Sequence, residues 1–218
     1  MKITRSSRLS FKFVNQQKLD MLNRVLTEYA SVVNFFINHF WNSTTPKKSE
    51  LLKPIVNLPT TWMSARLRKV AAREAIDMIN ASRKRWGNKA VIPTHRGTRM
   101  CVSSTIAELK IPKTASEFDA WLHLHSIGNR VVIDLPVRFH KHYNKLALLG
   151  KRLESYIINE KGVQLCFEIE TGQKRTSGRQ IGIDTGINAL ASTSDGKQYG
   201  TDVKQSIERI KQIGRAHV

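Results

Sequence analysis

The period of hydrophobicity changes near Arg99, and the helical stretch before that change is itself preceded by a single alternating segment. Within residues 2–14, Ile3, Arg5, Ser7, Leu9, Phe11 and Phe13 fall on one face of a strand. Asn15 then predicts the cap of a helix in which Leu19, Leu22, Leu26, Tyr29, Val33, Phe36, Ile37 and Phe40 recur at three-to-four spacing, up to about Asn42. After a linker with Pro46, Pro54 and Pro59, a second helix is expected over residues 61–86. Its apolar side carries Met63, Leu67, Val70, Ala71, Ala75, Met78, Ile79 and Trp86, and it stops at Gly87-Asn88. Beyond it, residues 98–111, 118–127, 130–137, 152–159 and 163–170 read as strands, with turns at Gly128-Asn129 and at residues 159–162. Residues 139–149 read as a short helix closed by Gly150.

A lone first strand cannot fold by itself, so it must pair with strands that come after the helices. The expected fold class is α+β. A small antiparallel barrel, built from residues 1–15 and 94–172, is interrupted by a helical lobe of residues 16–93. Residues 173–180 form a polar basic linker, and residues 181–212 open a further domain.

Charge narrows the partner. Lys and Arg number 36 against 17 Asp and Glu, a net charge of +19. Residues 78–107 hold Arg83, Lys84, Arg85, Lys89, Arg96 and Arg99 and no acid. A mobile solvated loop is the bland explanation of such a block; the whole-chain excess favours phosphate contacts. Arg66, Lys69, Arg73, Arg83, Lys84 and Arg85 are the candidate nucleic-acid-binding residues. No apolar run approaches a membrane span and none forms a signal core, so a cytoplasmic location is expected. Cys101 and Cys166 make no disulfide framework and no zinc ribbon. His123/His125 and His140/His142 have metal-like spacing but lack an indicated third ligand, and they read as ordinary side chains. Trp41, Trp62, Trp86 and Trp121 read mainly as core, with base stacking the minority reading.

One acid stands out. Asp184 sits inside an apolar run, Ile181-Gly-Ile-Asp-Thr-Gly-Ile, that reads as a buried strand followed by a second strand and an Asp-Gly turn. A buried carboxylate needs a cation or strong donors, and a metal is the obvious candidate, with Gly182 and Gly186 leaving room for its approach. Aspartic proteases and actin-like ATPases carry comparable motifs. The charge disfavours the first, and the position of the motif late in the chain disfavours the second. An RNase H-like nuclease strand fits the charge.

The order strand, basic helical insertion, strand-rich segment, basic linker and Ile181 to Gly196 resembles the N-terminal half of the TnpB (OrfB) family, transposon-encoded relatives of type V CRISPR effectors. The resemblance implies a wedge-type barrel, a recognition lobe and the start of a RuvC nuclease domain, with Asp184 as catalytic residue and Mg²⁺ ligand. It further implies a guide RNA and target DNA as partners, with pairing rather than side chains reading sequence. The family's remaining Glu and Asp, and its zinc ribbon, would lie downstream of Val218. The chain as written is therefore expected to bind nucleic acid without cutting it, and a guide-dependent DNA-binding protein or repressor is the alternative. Residues 213–218 correspond to one frame of a common sequencing adapter, so the natural chain is expected to diverge near Gln212. Asp202 is expected to cap a helix over residues 203–212 with Ile207 and Ile210 facing the sheet.

Overall fold

A computed structural model describes residues 2–43, 46–114, 116–172, 177–186, 189–202 and 204–209. Two compact units divide the chain, residues 1–171 and residues 172–218.

The first unit opens with β1 (Lys2–Ser10). The strand stops earlier than its alternation predicts because residues 11–14 turn, the Val14 N–H donating to Phe11 O at 2.9 Å. That turn buries Phe11 and Val14 and leaves Phe13 outside. α1 (Gln16–Trp41) follows, with the Asn15 side chain accepting from the Lys18 N–H as the cap residue type demands. A single 3₁₀ turn (Lys48–Glu50) and the short α2 (Lys53–Val56) lead to α3 (Ala65–Trp86). This helix begins at Ala65, later than residue 61, because Ser64 is its cap, accepting from the Leu67 N–H at 3.2 Å. It ends at Gly87, whose φ of 54° favours glycine. The two long helices pack through Leu22, Tyr29, Phe36 and Ile37 on α1 and Leu67, Ala71, Ala75 and Ile79 on α3, all buried.

Seven further elements follow, six strands in period two and one helix. β2 (Met100–Ser103), β3 (Ala107–Lys110), β4 (Ala120–Leu124) and β5 (Ile133–Val137) precede α4 (Lys141–Leu149), and β6 (Gly150–Asn159) and β7 (Gly162–Glu170) come after it. The stretch 98–111 is two strands rather than one. Its polar centre turns, Ile106 N–H donating to Ser103 O at 2.9 Å, and the chain passes there from one sheet to the other. The result is a four-stranded antiparallel sheet in the order β1-β7-β6-β2 and a three-stranded one in the order β3-β4-β5. The expected closed barrel is therefore replaced, among the described residues, by two open sheets that share one core with the helices. As expected, β1 finds its partner late in the chain, pairing with β7 from Lys2↔Glu170 to Ser10↔Gly162.

Two turns depart from their sequence reading. Gly150 is extended (φ −159°) and starts β6 instead of forming a left-handed helix stop. The β4–β5 connection spans residues 125–132 rather than a two-residue turn, because it is pinned to the front of α3. Met63 bridges Gly128, and the Ser64 N–H donates to Ile127 O at 2.6 Å. A side chain at Gly128 would meet Trp62 O at 2.1 Å, so only glycine fits.

The second unit holds β8 (Ile183–Asp184), β9 (Ala191–Thr193) and β10 (Gln198–Tyr199), antiparallel in the order β10-β9-β8. The Asp195-Gly196 turn joins β9 to β10 as predicted, with Gly196 at φ 84°. Residues 204–209 are helical, and the Ser206 N–H donates to Asp202 O at 3.1 Å. Ile207 is exposed rather than packed. Ile210 and the adapter-like residues 213–218 lie outside the described residues, as do residues 173–176 of the linker. No helix of the described residues is long and apolar enough to cross a membrane.

Candidate nucleic-acid interface

On α3, residues 66, 69, 73, 77, 80 and 84 return to one side at helical spacing, so the sequence alone sets Arg66, Lys69, Arg73 and Lys84 in a row. All four are exposed. The row runs about 27 Å at the rise of an α-helix. Asp77, the acid within it, is bridged by Lys48 at 2.6 Å, which offsets its charge. Arg85 is also exposed, with its guanidinium 5.0 Å from the ring of Trp86, itself 55% exposed.

Arg83 has a different task. Its guanidinium donates to Trp41 O and, at 2.8 Å, to Ser43 O, and it lies 5.1 Å from the Trp41 ring. These carbonyls are at the C-terminus of α1, where a helix lacks internal donors and favours a cation. Spacing alone leaves Arg83 beside the row of Arg66, Lys69, Arg73 and Lys84; its contacts with the end of α1 are what set it apart.

The basic segment after α3 is held in place rather than loose. The Asn34 side chain clamps both backbone groups of His95, donating to His95 O at 3.0 Å and accepting from its N–H at 2.7 Å. Ser82 Oγ donates to Val91 O at 2.9 Å. The His95 ring is buried, with Nδ1 accepting from the Gly97 N–H at 3.2 Å and Nε2 3.7 Å from Glu74 Oε1. Lys89, Arg96 and Arg99 remain exposed along this strap.

Glu74 is the anchor. It is 7% exposed, accepts from Tyr29 Oη at 2.6 Å, and has Arg99 Nη2 at 3.6 Å. Burial pushes its pKa up, but the hydrogen bonds from His95 and Tyr29 and the charge of Arg99 outweigh burial and hold the carboxyl below its usual range. Burial and Glu74 push the Tyr29 hydroxyl far up, and the Cys101 thiol up to about 11, so both stay protonated. The anchor was legible, though unread: Glu74 falls inside the apolar stripe of a helix whose charged residues otherwise face outward.

Asp184 sits differently from its sequence reading. It lies on the edge strand of a three-stranded sheet, opposite Ser192, and is exposed. Its neighbour Ile183 is 68% exposed, and successive residues of a strand point to opposite faces, so both faces here are open to solvent. The expected burial fails because an apolar strand is buried only by a covering layer, and Ile181, Ile183, Leu190 and Tyr199 of this unit are all exposed. A Cβ at Gly182 or Gly186 would make only ordinary contacts, so neither glycine is demanded by packing. Among the described residues no three of His, Cys, Asp and Glu are gathered for a metal. His123 Nδ1 instead meets Asp134 Oδ1 at 2.6 Å, and His140 and His142 reach the backbone of Arg8 and Ser6.

No protein-family model matches the chain, and no curated protein sequence matches it at a significant level.

Proposed function

We propose that this chain is the N-terminal portion of a TnpB-type RNA-guided nuclease, and that residues 1–171 grip guide RNA and target DNA by their phosphates. The observation that carries the reading is the row of Arg66, Lys69, Arg73 and Lys84 on α3, set beside the pinned strap with Arg96 and Arg99 on a chain of net charge +19. Side chains of this kind bind without reading sequence, which suits a protein whose guide does the reading.

Asp184 is the proposed first acid of a RuvC centre. A Mg²⁺ pair needs several carboxylates around it, and the described residues supply one exposed Asp at this place. They do not by themselves fit the metal, so the activity proposed for them is binding. The same observation favours the alternative of a guide-dependent DNA-binding protein, which shares the interface.

Salt dependence tests the interface. Changing Arg66, Lys69 and Arg73 to Gln is expected to weaken duplex binding and to flatten the slope of log affinity against log salt by about 2–3, from roughly 0.9 per phosphate contact. An unchanged slope with intact folding removes α3 from the interface.

A further inference from the structure

Between the end of β1 and the outer side of β4 lies a second surface, made of rings and cations, that the α3 row does not include. Phe13, 38% exposed, has its ring 5.8 Å from that of Phe118, and Phe118 lies 5.6 Å edge-on from Trp121. Phe118 and Trp121 are half-buried. Cations border every ring. Lys12 is 4.7 Å and Arg138 4.8 Å from the centre of Phe13, Arg138 is 5.6 Å from Phe118, and Lys18 is 5.3 Å from Trp121. Beside Phe13 opens a cleft lined by Arg8, Lys12, Phe13, Arg138, Phe139 and His140.

The acids nearby do not cancel this charge. Glu117 meets Arg138 at 3.4 Å in a solvent-exposed pair of the kind that contributes little. Asp119 accepts from the Phe139 N–H at 2.7 Å. Core packing explains Phe11 and Val14 but leaves Phe13 unexplained, since the turn that buries its neighbours turns it outward.

We infer that Phe13, Phe118 and Trp121 form a stacking platform for unpaired bases of a single-stranded nucleic acid, with Arg8, Lys12, Lys18 and Arg138 taking its phosphates. The inference rests on the nucleic-acid reading above and narrows it to an unpaired segment. Every base presents a π-face to a ring, whereas bases inside a duplex are already stacked on one another. Lys12 and Arg138 lie on the rings in the free protein, and the Lys12 ammonium and the Arg138 guanidinium move from ring to phosphate when a base arrives.

The test uses the full chain with labelled oligonucleotides of one length: uridine-rich RNA, thymidine-rich DNA and a mixed duplex. The double variant Phe13→Leu/Phe118→Leu keeps apolar bulk and removes two of the platform's three π-faces. It is expected to lose roughly tenfold or more in affinity for single strands and to bind the duplex as the wild type does. A loss on both RNA and DNA supports base stacking blind to the sugar, and a loss on one alone supports the platform for that strand. Undiminished single-strand binding by the variant, with duplex binding intact, overturns the platform and leaves the α3 interface standing. A wild-type chain that binds none of the three overturns both. Photocrosslinking of 5-iodouracil oligonucleotides to the unmodified chain gives a measurement independent of variant folding. Adducts are expected at Phe13, Phe118 or Trp121, and adducts confined to other residues overturn the inference.

Discussion

β7 and β8 are both apolar-rich strands, yet they end in opposite surroundings. In β7, Val163, Leu165 and Phe167 are fully enclosed, because β1 and β6 flank the strand and α4 packs across it. In the second unit Ile181, Ile183, Leu190 and Tyr199 are all about half exposed or more, and Ala189 is the buried apolar residue among those described. Sequence alternation decides which side chains share a face; a second layer decides whether that face is dry.

That contrast can be broken by experiment. Leu67, fully buried between the long helices, is expected to cost about 2–5 kcal/mol of unfolding free energy when cut to Ala. Ile183→Ala is expected to cost less than about 0.5 kcal/mol in the same denaturant titration. Comparable losses would mean that β8 is covered in solution.

An effect between these two is expected at Glu74, the one charged carboxylate that the first unit buries among its described residues. Gln keeps the shape but turns an N–H toward the donors of His95 and Cys101, for an expected loss of about 1–3 kcal/mol at neutral pH. The folded-state pKa of Glu74 lies below its ordinary value of 4.5. Its contribution is therefore present above about 4.5 and is lost as pH falls through the folded value. Glu74→Gln is expected to remove that part of the acid dependence, and an unaltered acid limb in thermal melts would show that the carboxylate is not the anchor.

The smallest effect sharpens the comparison from the other side. Asp184→Asn is expected to leave unfolding within about 0.5 kcal/mol of wild type, since the side chain is exposed. A larger change would reveal a partner that enclosed it.

Local signals were legible where one residue type has one task. Asn15 caps α1, Gly87 stops α3, and the Asn159↔Gly162 turn joins β6 to β7. The split of residues 98–111 was harder, since Ser103, Ser104 and Thr105 suit a strand or a turn equally well and only pairing with β6 and β4 decides. The row on α3 followed from spacing, but the structural use of Arg83 depended on where α1 ends. Alternation puts Phe13 on the same face as Leu9 and Phe11, but the strand stops at Ser10 and the turn that follows faces Phe13 outward.

The clamp of Asn34 on His95 also bears on speed. A tether whose course is already fixed surrenders little freedom on capture, so under the proposed function the guanidinium groups at positions 96 and 99 would meet a polyanion from a prepared bearing. In the proposed phosphate-binding role, encounter at such a strap would be paced by diffusion and ionic steering.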